Sequence, residues 1–275
     1  MKELTLKELQ QKSLDILLDV HCFCIQNDIR YSLAYGSLIG AIRHKGFIPW
    51  DDDVDIIMPR PDYERFCASF SAPGLGLLRD SDNNSYILFS RVFDAEKTIC
   101  RTMSPFAKKY RGGVWIDIFP LDGVSDDFYV FEATIRSLRL LWKRQIRYRF
   151  AGARITEIIH TFPLKDILIL FAIKFSGTKD LLLKKNNLKM RQIASRFQYG
   201  ETRHWSQLTV IDDSTRNYQT VDLFKDTIDV SFEGNHLKAL SGYDQYLRNI
   251  YGDYMRLPPE KDRKPKQQLL SFYWK

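Results

Sequence analysis

Residues 49–55 read Pro-Trp-Asp-Asp-Asp-Val-Asp. Asp51, Asp52, Asp53 and Asp55 put four carboxylates within five residues of a chain whose net charge is +7. Like charges this close repel, so something must offset the cost. If the run enters Ile56-Ile57-Met58 as a strand, successive side chains alternate faces. Asp53 and Asp55 then share a face with Asp51 at its entrance, and Val54 and Ile56 turn to the core. Carboxylates at i and i+2 lie about 7 Å apart at Cα, close enough for their oxygens to converge on one small cation. Magnesium, or manganese in its place, takes such oxygen ligands and bridges to substrate phosphates. An EF-hand is excluded, because its required Gly and Glu are missing from the loop.

A third carboxylate would complete the set. Val-Trp-Ile-Asp-Ile-Phe offers Asp117, flanked by apolar residues, and Asp122 in Pro-Leu-Asp-Gly is its rival. Three such acids can hold two metal ions about 4 Å apart around an in-line phosphoryl displacement. Asp53, Asp55 and Asp117 are therefore the candidate catalytic and metal-binding residues. Upstream, Tyr35-Gly36-Ser37 joins a strand to a helix. Backbone N–H groups at a helix start bind phosphate, glycine allows close approach, and Ser37 adds a hydroxyl. Arg43, His44 and Lys45 follow and are expected to contact donor phosphates or the acceptor. Arg91 stands in an otherwise apolar strand and needs an anionic partner. The Trp50 ring can stack on a base or enclose an organic cation. Tyr251 and Tyr254 read as packing residues, and His21, His160, His204 and His236 have no metal-like spacing.

The elements that must position these groups are legible in outline. The spacing of Leu6, Leu9, Leu14, Leu17 and Leu18 predicts a helix over 4–27. A short strand over 31–35 breaks at Gly36-Ser37, and a helix follows that Gly46 ends. Val-Asp-Ile-Ile-Met-Pro is a strand stopped at Pro59, and Pro61 opens a helix. Residues 85–94 and 97–103 read as strands, and Gly112–Asp122 as a buried strand ending at Pro120. From 126 to 200 helical patterns rich in Arg and Lys dominate. Residues 227–240 suggest a hairpin turning at Gly234-Asn235, and 242–255 a final helix. The expected class is α+β. A mixed-sheet core over 28–125 sits in a single 1–275 domain whose remainder, 126–275, is mainly helical and faces the acceptor or a membrane. Strand, Gly-Ser, helix, then Asp-x-Asp strand, then a distant apolar-Asp-apolar strand is the ordered pattern of the nucleotidyltransferase fold.

Composition narrows the partners. Hydrophobic residues at 44% and charged residues at 27% fit a folded core. The basic excess favours polyanions without choosing among nucleic acid, lipid surface or phosphorylated substrate. The four cysteines form no CxxC pair, and reduced thiols in a cytoplasmic protein are the simple account. The longest apolar run, residues 167–173, falls far short of the ~20 residues that span a bilayer. Nothing resembles a signal peptide.

The segment AYGSLIGAIRHKGFIPWDDDVDIIMPRPDYERF resembles the LicD family, which includes fukutin and fukutin-related protein. The similarity continues at SRVFD, WIDIFPLDGV and YDQYLRNIYGDYMRLPP, and thins over 126–225. The resemblance implies a nucleotidyltransferase-type fold and transfer of a phosphorylated alcohol from a CDP-linked donor, CDP-choline above all, to a glycan hydroxyl. The acceptors implied are teichoic acid, lipooligosaccharide or capsule sugars. By motif the family's metal aspartates fall on Asp53 and Asp55 with Asp51 alongside, and its third acid on Asp117. That acid would accept the sugar hydroxyl's proton. From the thiols the expected location is cytoplasmic, and the basic helices over 133–185 fit either an anionic membrane surface, which suits a lipid-linked acceptor, or a solvated charged face.

Three other readings compete. A true nucleotidyltransferase shares the geometry but leaves the nucleotide on the product. A nucleic-acid-binding module predicts aromatic residues interleaved with Lys and Arg, and no such run is present. A membrane-surface scaffold would not require Asp51, Asp53, Asp55 and Asp117 all intact.

Overall fold

The computed structural model describes residues 1–82, 87–102, 112–153, 155–209, 215–265 and 270–275. The leucine stripe of the first segment folds as α1 (Leu6–Gln26), opened by a capping box in which Thr5 and Glu8 satisfy each other's backbone N–H groups. A two-residue strand, β1 (Ser32–Leu33), leads into α2 (Tyr35–His44). Gly36 and Ser37 thus lie inside the first helical turn rather than breaking the chain ahead of it. The helix ends at Lys45, whose φ of 60° takes the left-handed capping position. Gly46, expected there, instead makes room for Glu233, whose carboxylate accepts from the Phe47 N–H at 2.9 Å.

Strand β2 (Asp55–Pro59) begins one residue later than the expected Val54, and Asp53 sits in the loop before it. Helix α3 (Arg60–Ser69) follows, with proline in its first turn. The short strand β3 (Leu75–Leu78) has no signal in the sequence pattern. The predicted strand over 85–94 is realised as β4 (Ser90–Asp94), and residues 83–86 lie outside the described residues. Next come β5 (Thr98–Thr102) and β6 (Trp115–Val124), fully buried along its length.

Pro120 does not stop β6. Pairing with β4 ends at Ile118, and pairing with β7 (His204–Ser206) begins at Asp122. Proline therefore occupies the gap between two partners, where a missing N–H costs least. The main sheet has seven strands in the order β1-β2-β6-β4-β3, with β7 and β8 (Gln219–Thr220) added beside the second half of β6. β2 and β6 run parallel and their neighbours antiparallel.

The basic helices are α4 (Phe128–Phe150), α5 (Ile155–Thr161), α6 (Leu164–Ser176) and α7 (Lys179–Ala194). Helix dominates only to that point. The chain then returns through β7, β8 and the hairpin β9 (Thr227–Phe232) and β10 (Asn235–Leu240), followed by α8 (Tyr243–Tyr251) and β11 (Leu270–Trp274), which pairs with β5. The hairpin turns at Glu233-Gly234, one residue earlier than expected. Both have positive φ, as the tight turn of a two-residue hairpin demands.

Register decides which side chains share a face. Asp55 and Asp117 are direct partners, as are Arg91 and Asp117. Alternation then puts Asp55, Arg91, Asp117 and Phe119 on one face of the sheet and Ile56, Val92, Ile116 and Ile118 on the other. The second set is 0% exposed, in a core shared with Leu17 and Val20 of α1 and Phe66 of α3. Burying each such side chain contributes about 1.5–3 kcal/mol. That core fixes the sheet from behind and leaves the carboxylate face toward the site.

Candidate active site

The loop carrying the aspartates is tied to the start of α2. The Asp55 N–H donates to Ser37 Oγ at 2.9 Å, and the Ala34 N–H donates to the Asp55 carbonyl at 3.0 Å. From α1, Gln10 Nε2 donates to the Asp51 carbonyl at 2.9 Å. Ser37 is buried, and its hydroxyl positions the aspartate loop. Gly36 acts through Asp51, because a Cβ at 36 would lie 2.5 Å from Asp51 Oδ2. The helix start was expected to meet a phosphate, and here it meets the Asp51 carboxylate, an anion the helix dipole favours. Tyr35 carries a φ of 47°, a strained value for a bulky residue. Its hydroxyl accepts from Asn217 at 3.2 Å, and its ring packs edge-on against Phe119.

One carboxylate oxygen from each of Asp51, Asp52 and Asp53 lies within 4.8 Å of the other two. Asp52, which the sequence reading left out of the site, thus stands with Asp51 and Asp53 in a group close enough to share one ion. Asp53 and Asp55 are half-buried, and Asp117 is 8% exposed. The Asp117 N–H donates to the Val54 carbonyl at 2.9 Å, which locks β6 to the end of the aspartate loop. Burial pushes the Asp117 carboxyl above its ordinary value, and Arg91 opposes that shift. Arg91 Nε donates to Asp117 Oδ1 at 2.6 Å, and its guanidinium lies 4.5 Å from the Trp115 ring centroid. The anionic partner that Arg91 needed is Asp117.

Asp122 is not brought to this group. It lies five residues along β6, on the opposite face, and about 16 Å farther by strand rise. Both its oxygens are held by Arg60, at 2.7 and 2.8 Å, and its side chain is 0% exposed. Its expected place as the rival third acid of the site gives way to a buried ion pair against α3.

A cavity of about 720 Å³ opens beside Asp51. Gly36, Arg43 and Trp50 form one side, and Tyr251, Arg256, Arg263 and Lys264 the other, where Asp253 and Asp262 are interspersed among the bases. Arg43 holds the two sides together, since its guanidinium donates to the carbonyls of Tyr254 at 2.7 Å and Arg256 at 3.3 Å. Arg263 lies 5.6 Å from the Trp50 ring centroid, and His44 meets that ring edge-on. Lys45 is exposed and serves as the helix cap. Tyr254 packs as expected, its hydroxyl donating to Asp244 at 2.7 Å, whereas Tyr251 is 43% exposed on the cavity wall. Sequence reasoning missed the basic wall. The clustered bases after Pro258-Pro259 were its only signal, and nothing in the chain order ties them to residue 51.

A family model described as LicD/FKTN/FKRP, nucleotidyltransferase domain, matches residues 28–170. The lipopolysaccharide cholinephosphotransferase LicD of Haemophilus influenzae is 32% identical over 272 residues, which cover 96% of this chain and 97% of that protein. This chain belongs to the LicD family. An uncharacterized protein of Rickettsia typhi is 41% identical over 51 residues, 18% of this chain and 16% of its own. One of Rickettsia prowazekii is 46% identical over 41 residues, 15% of each. The segment matched by the LicD family model contains α2, the aspartate loop, β4 and β6, and so Asp51, Asp52, Asp53, Asp55 and Asp117. The basic wall from Tyr251 to Lys264 lies beyond it.

The donor set fits a hard divalent cation. All candidate ligands are carboxylate oxygens, and the close trio is spaced so that small rotations would bring its oxygens onto one ion. Such an ion would also offset the mutual repulsion of the acids.

Proposed function

We propose that this chain transfers phosphocholine, or a similar phospho-alcohol, from a CDP-linked donor to a hydroxyl of a cell-surface glycan. Lipopolysaccharide is the acceptor class named for its Haemophilus relative, and teichoic acid and capsule are further candidates. The observation that carries the reading is the acidic group formed by Asp51–Asp53, Asp55 and Asp117, which opens beside a cavity walled by Arg43, Arg256 and Arg263. A pyrophosphate needs cationic neutralisation on the leaving side and carboxylates on the attacking side.

Magnesium or manganese, held by Asp51, Asp52 and Asp53 with Asp55 and Asp117 beside them, would supply charge neutralisation of the pyrophosphate. The chain's own residues do the rest. Arg43, Arg263 and Lys264 hold the CMP portion, and Trp50 offers a ring face to cytosine or to the choline cation. The acceptor hydroxyl attacks the phosphorus that bears choline, and the bond from that phosphorus to the CMP oxygen breaks. Asp117, held in place by Arg91, accepts the hydroxyl proton. The products are the phosphocholine-substituted glycan and CMP.

The test is CMP release from purified protein with CDP-choline and magnesium, with and without EDTA. Metal-dependent release that Asp53→Ala abolishes is the expected result, and a panel of CDP-alcohols then fixes the donor. Nucleotide transfer from CTP or ATP, with no release from any CDP-alcohol, would instead establish a nucleotidyltransferase.

A further inference from the structure

Helix α6 is apolar on both sides. Asp166, Leu170 and Ile173 form its buried side, against α4, α5 and α7. On the opposite side Leu164, Leu168, Ala172 and Phe175 fall within one stripe less than a quarter-turn wide, by the 3.6-residue period. Leu164 is 72% exposed, Leu168 63% and Phe175 73%. The packed neighbour α5 adds Ile155 and Ile159, one turn apart and 44% and 50% exposed. Scattered exposed apolar residues need no explanation, but a contiguous stripe of them marks a docking surface.

The charge around this stripe selects the occupant. Of the chain's 41 Lys and Arg, 15 fall within 128–196, against only 4 of its 34 Asp and Glu. The helices therefore carry a large positive excess, and the remainder of the chain is net negative. Lys143 and Arg144 of α4, Lys165 of α6, and Lys184 and Lys185 of α7 are all exposed. A second copy of the same surface would meet it with like charge.

We infer that α5 and α6 seat in the interface of an anionic phospholipid bilayer, with the apolar stripe in the headgroup–acyl boundary and the surrounding Lys and Arg on lipid phosphates. At 13 residues α6 is about 20 Å long, short of the ~30 Å hydrocarbon core, so it lies along the surface. Among the described residues no helix is long and apolar enough to cross a membrane. The inference rests on the helical surface and not on the proposed reaction.

Vesicle co-sedimentation of the full chain tests it, with vesicles of phosphatidylglycerol and phosphatidylcholine in equal parts and of phosphatidylcholine alone. The protein is expected to bind the anionic vesicles, to release as salt rises, and to ignore the neutral ones. The double variant Leu168→Glu/Phe175→Glu alters exposed positions only and is expected to lose binding by about tenfold or more. Lys184→Glu/Lys185→Glu should weaken it by a similar factor without touching the stripe. No binding of the wild type to anionic vesicles, or undiminished binding by both variants, would overturn the inference. So would light scattering that shows a wild-type dimer converted to monomer by Leu168→Glu/Phe175→Glu, since a second copy would then be the occupant. Because no turnover is read, failure here and failure of the transferase reading are separable.

Discussion

The carboxylate of Asp51 occupies the space that a side chain at Gly36 would fill, with a Cβ at 36 lying 2.5 Å from Asp51 Oδ2. Gly36 has an ordinary φ, so alanine there meets no backbone strain and acts only by pushing Asp51 away. Gly36→Ala is expected to lower CMP release about 100-fold, the usual cost of misplacing an active-site group by an ångström. Circular dichroism should stay native. Gly36→Ala/Asp51→Ala should regain any stability lost to the clash but no activity. Near-wild-type release by Gly36→Ala would remove Asp51 from the chemistry.

Arg91 and Asp117 act as a unit. The 2.6 Å hydrogen bond and the stacking of the guanidinium on Trp115 fix the carboxylate's orientation. Arg91→Ala and Asp117→Asn should each lower the rate constant of CMP release by about 100-fold or more. The double variant should be little worse than either single one, since the second change removes what the first has already disabled. Arg91→Lys keeps the charge but loses the planar stack, and should fall between. Fully additive losses would separate the two residues.

How much of this could be read from the chain depends on how local each signal is. The aspartate run, the Gly36-Ser37 turn and the apolar context of Asp117 are short-range patterns, and the fold joins them: Asp55 and Asp117 are register partners. That Asp52 joins Asp51 and Asp53 in one close group was not legible, because the turn of the loop ahead of the strand decides it. The choice between Asp117 and Asp122 was not legible either. Both stand in one apolar run, and their roles are set by Arg91 and Arg60, residues remote in sequence. The cavity wall from Arg256 to Lys264 reaches Asp51 across two hundred residues of chain, through Arg43's hydrogen bonds to backbone carbonyls. No pattern of side-chain types reports a bond to a carbonyl.

That division of roles predicts opposite phenotypes for the two acids of β6. Asp122→Asn leaves the largely buried Arg60 with the more exposed Glu64 as its acidic partner and should cost about 3 kcal/mol of stability, measured by urea unfolding. Where it folds, it should keep its CMP release and its rise in melting temperature on adding magnesium. Asp117→Asn should do the reverse, with small loss of stability and little turnover. A stable but inactive Asp122→Asn would return that residue to the site.

The last prediction concerns stability away from the chemistry. The Tyr31 hydroxyl accepts from the Lys238 N–H at 3.3 Å and shares a second hydrogen bond with His21 Nδ1 at 2.7 Å. Burial first, and the Lys238 charge second, hold the His21 pKa below its ordinary value of 6.5. A base with a depressed folded pKa binds its proton more weakly in the native state than in the unfolded chain. Its contribution is therefore complete above the unfolded value of 6.5 and declines as pH falls from there toward the folded pKa. Urea unfolding of the wild type should show lower stability at mildly acidic pH than at neutral pH. His21→Gln should be less stable at neutral pH, having lost the imidazole's hydrogen bond to Tyr31, but should show a shallower acid-side decline. An unchanged acid slope in His21→Gln would assign the decline to other groups.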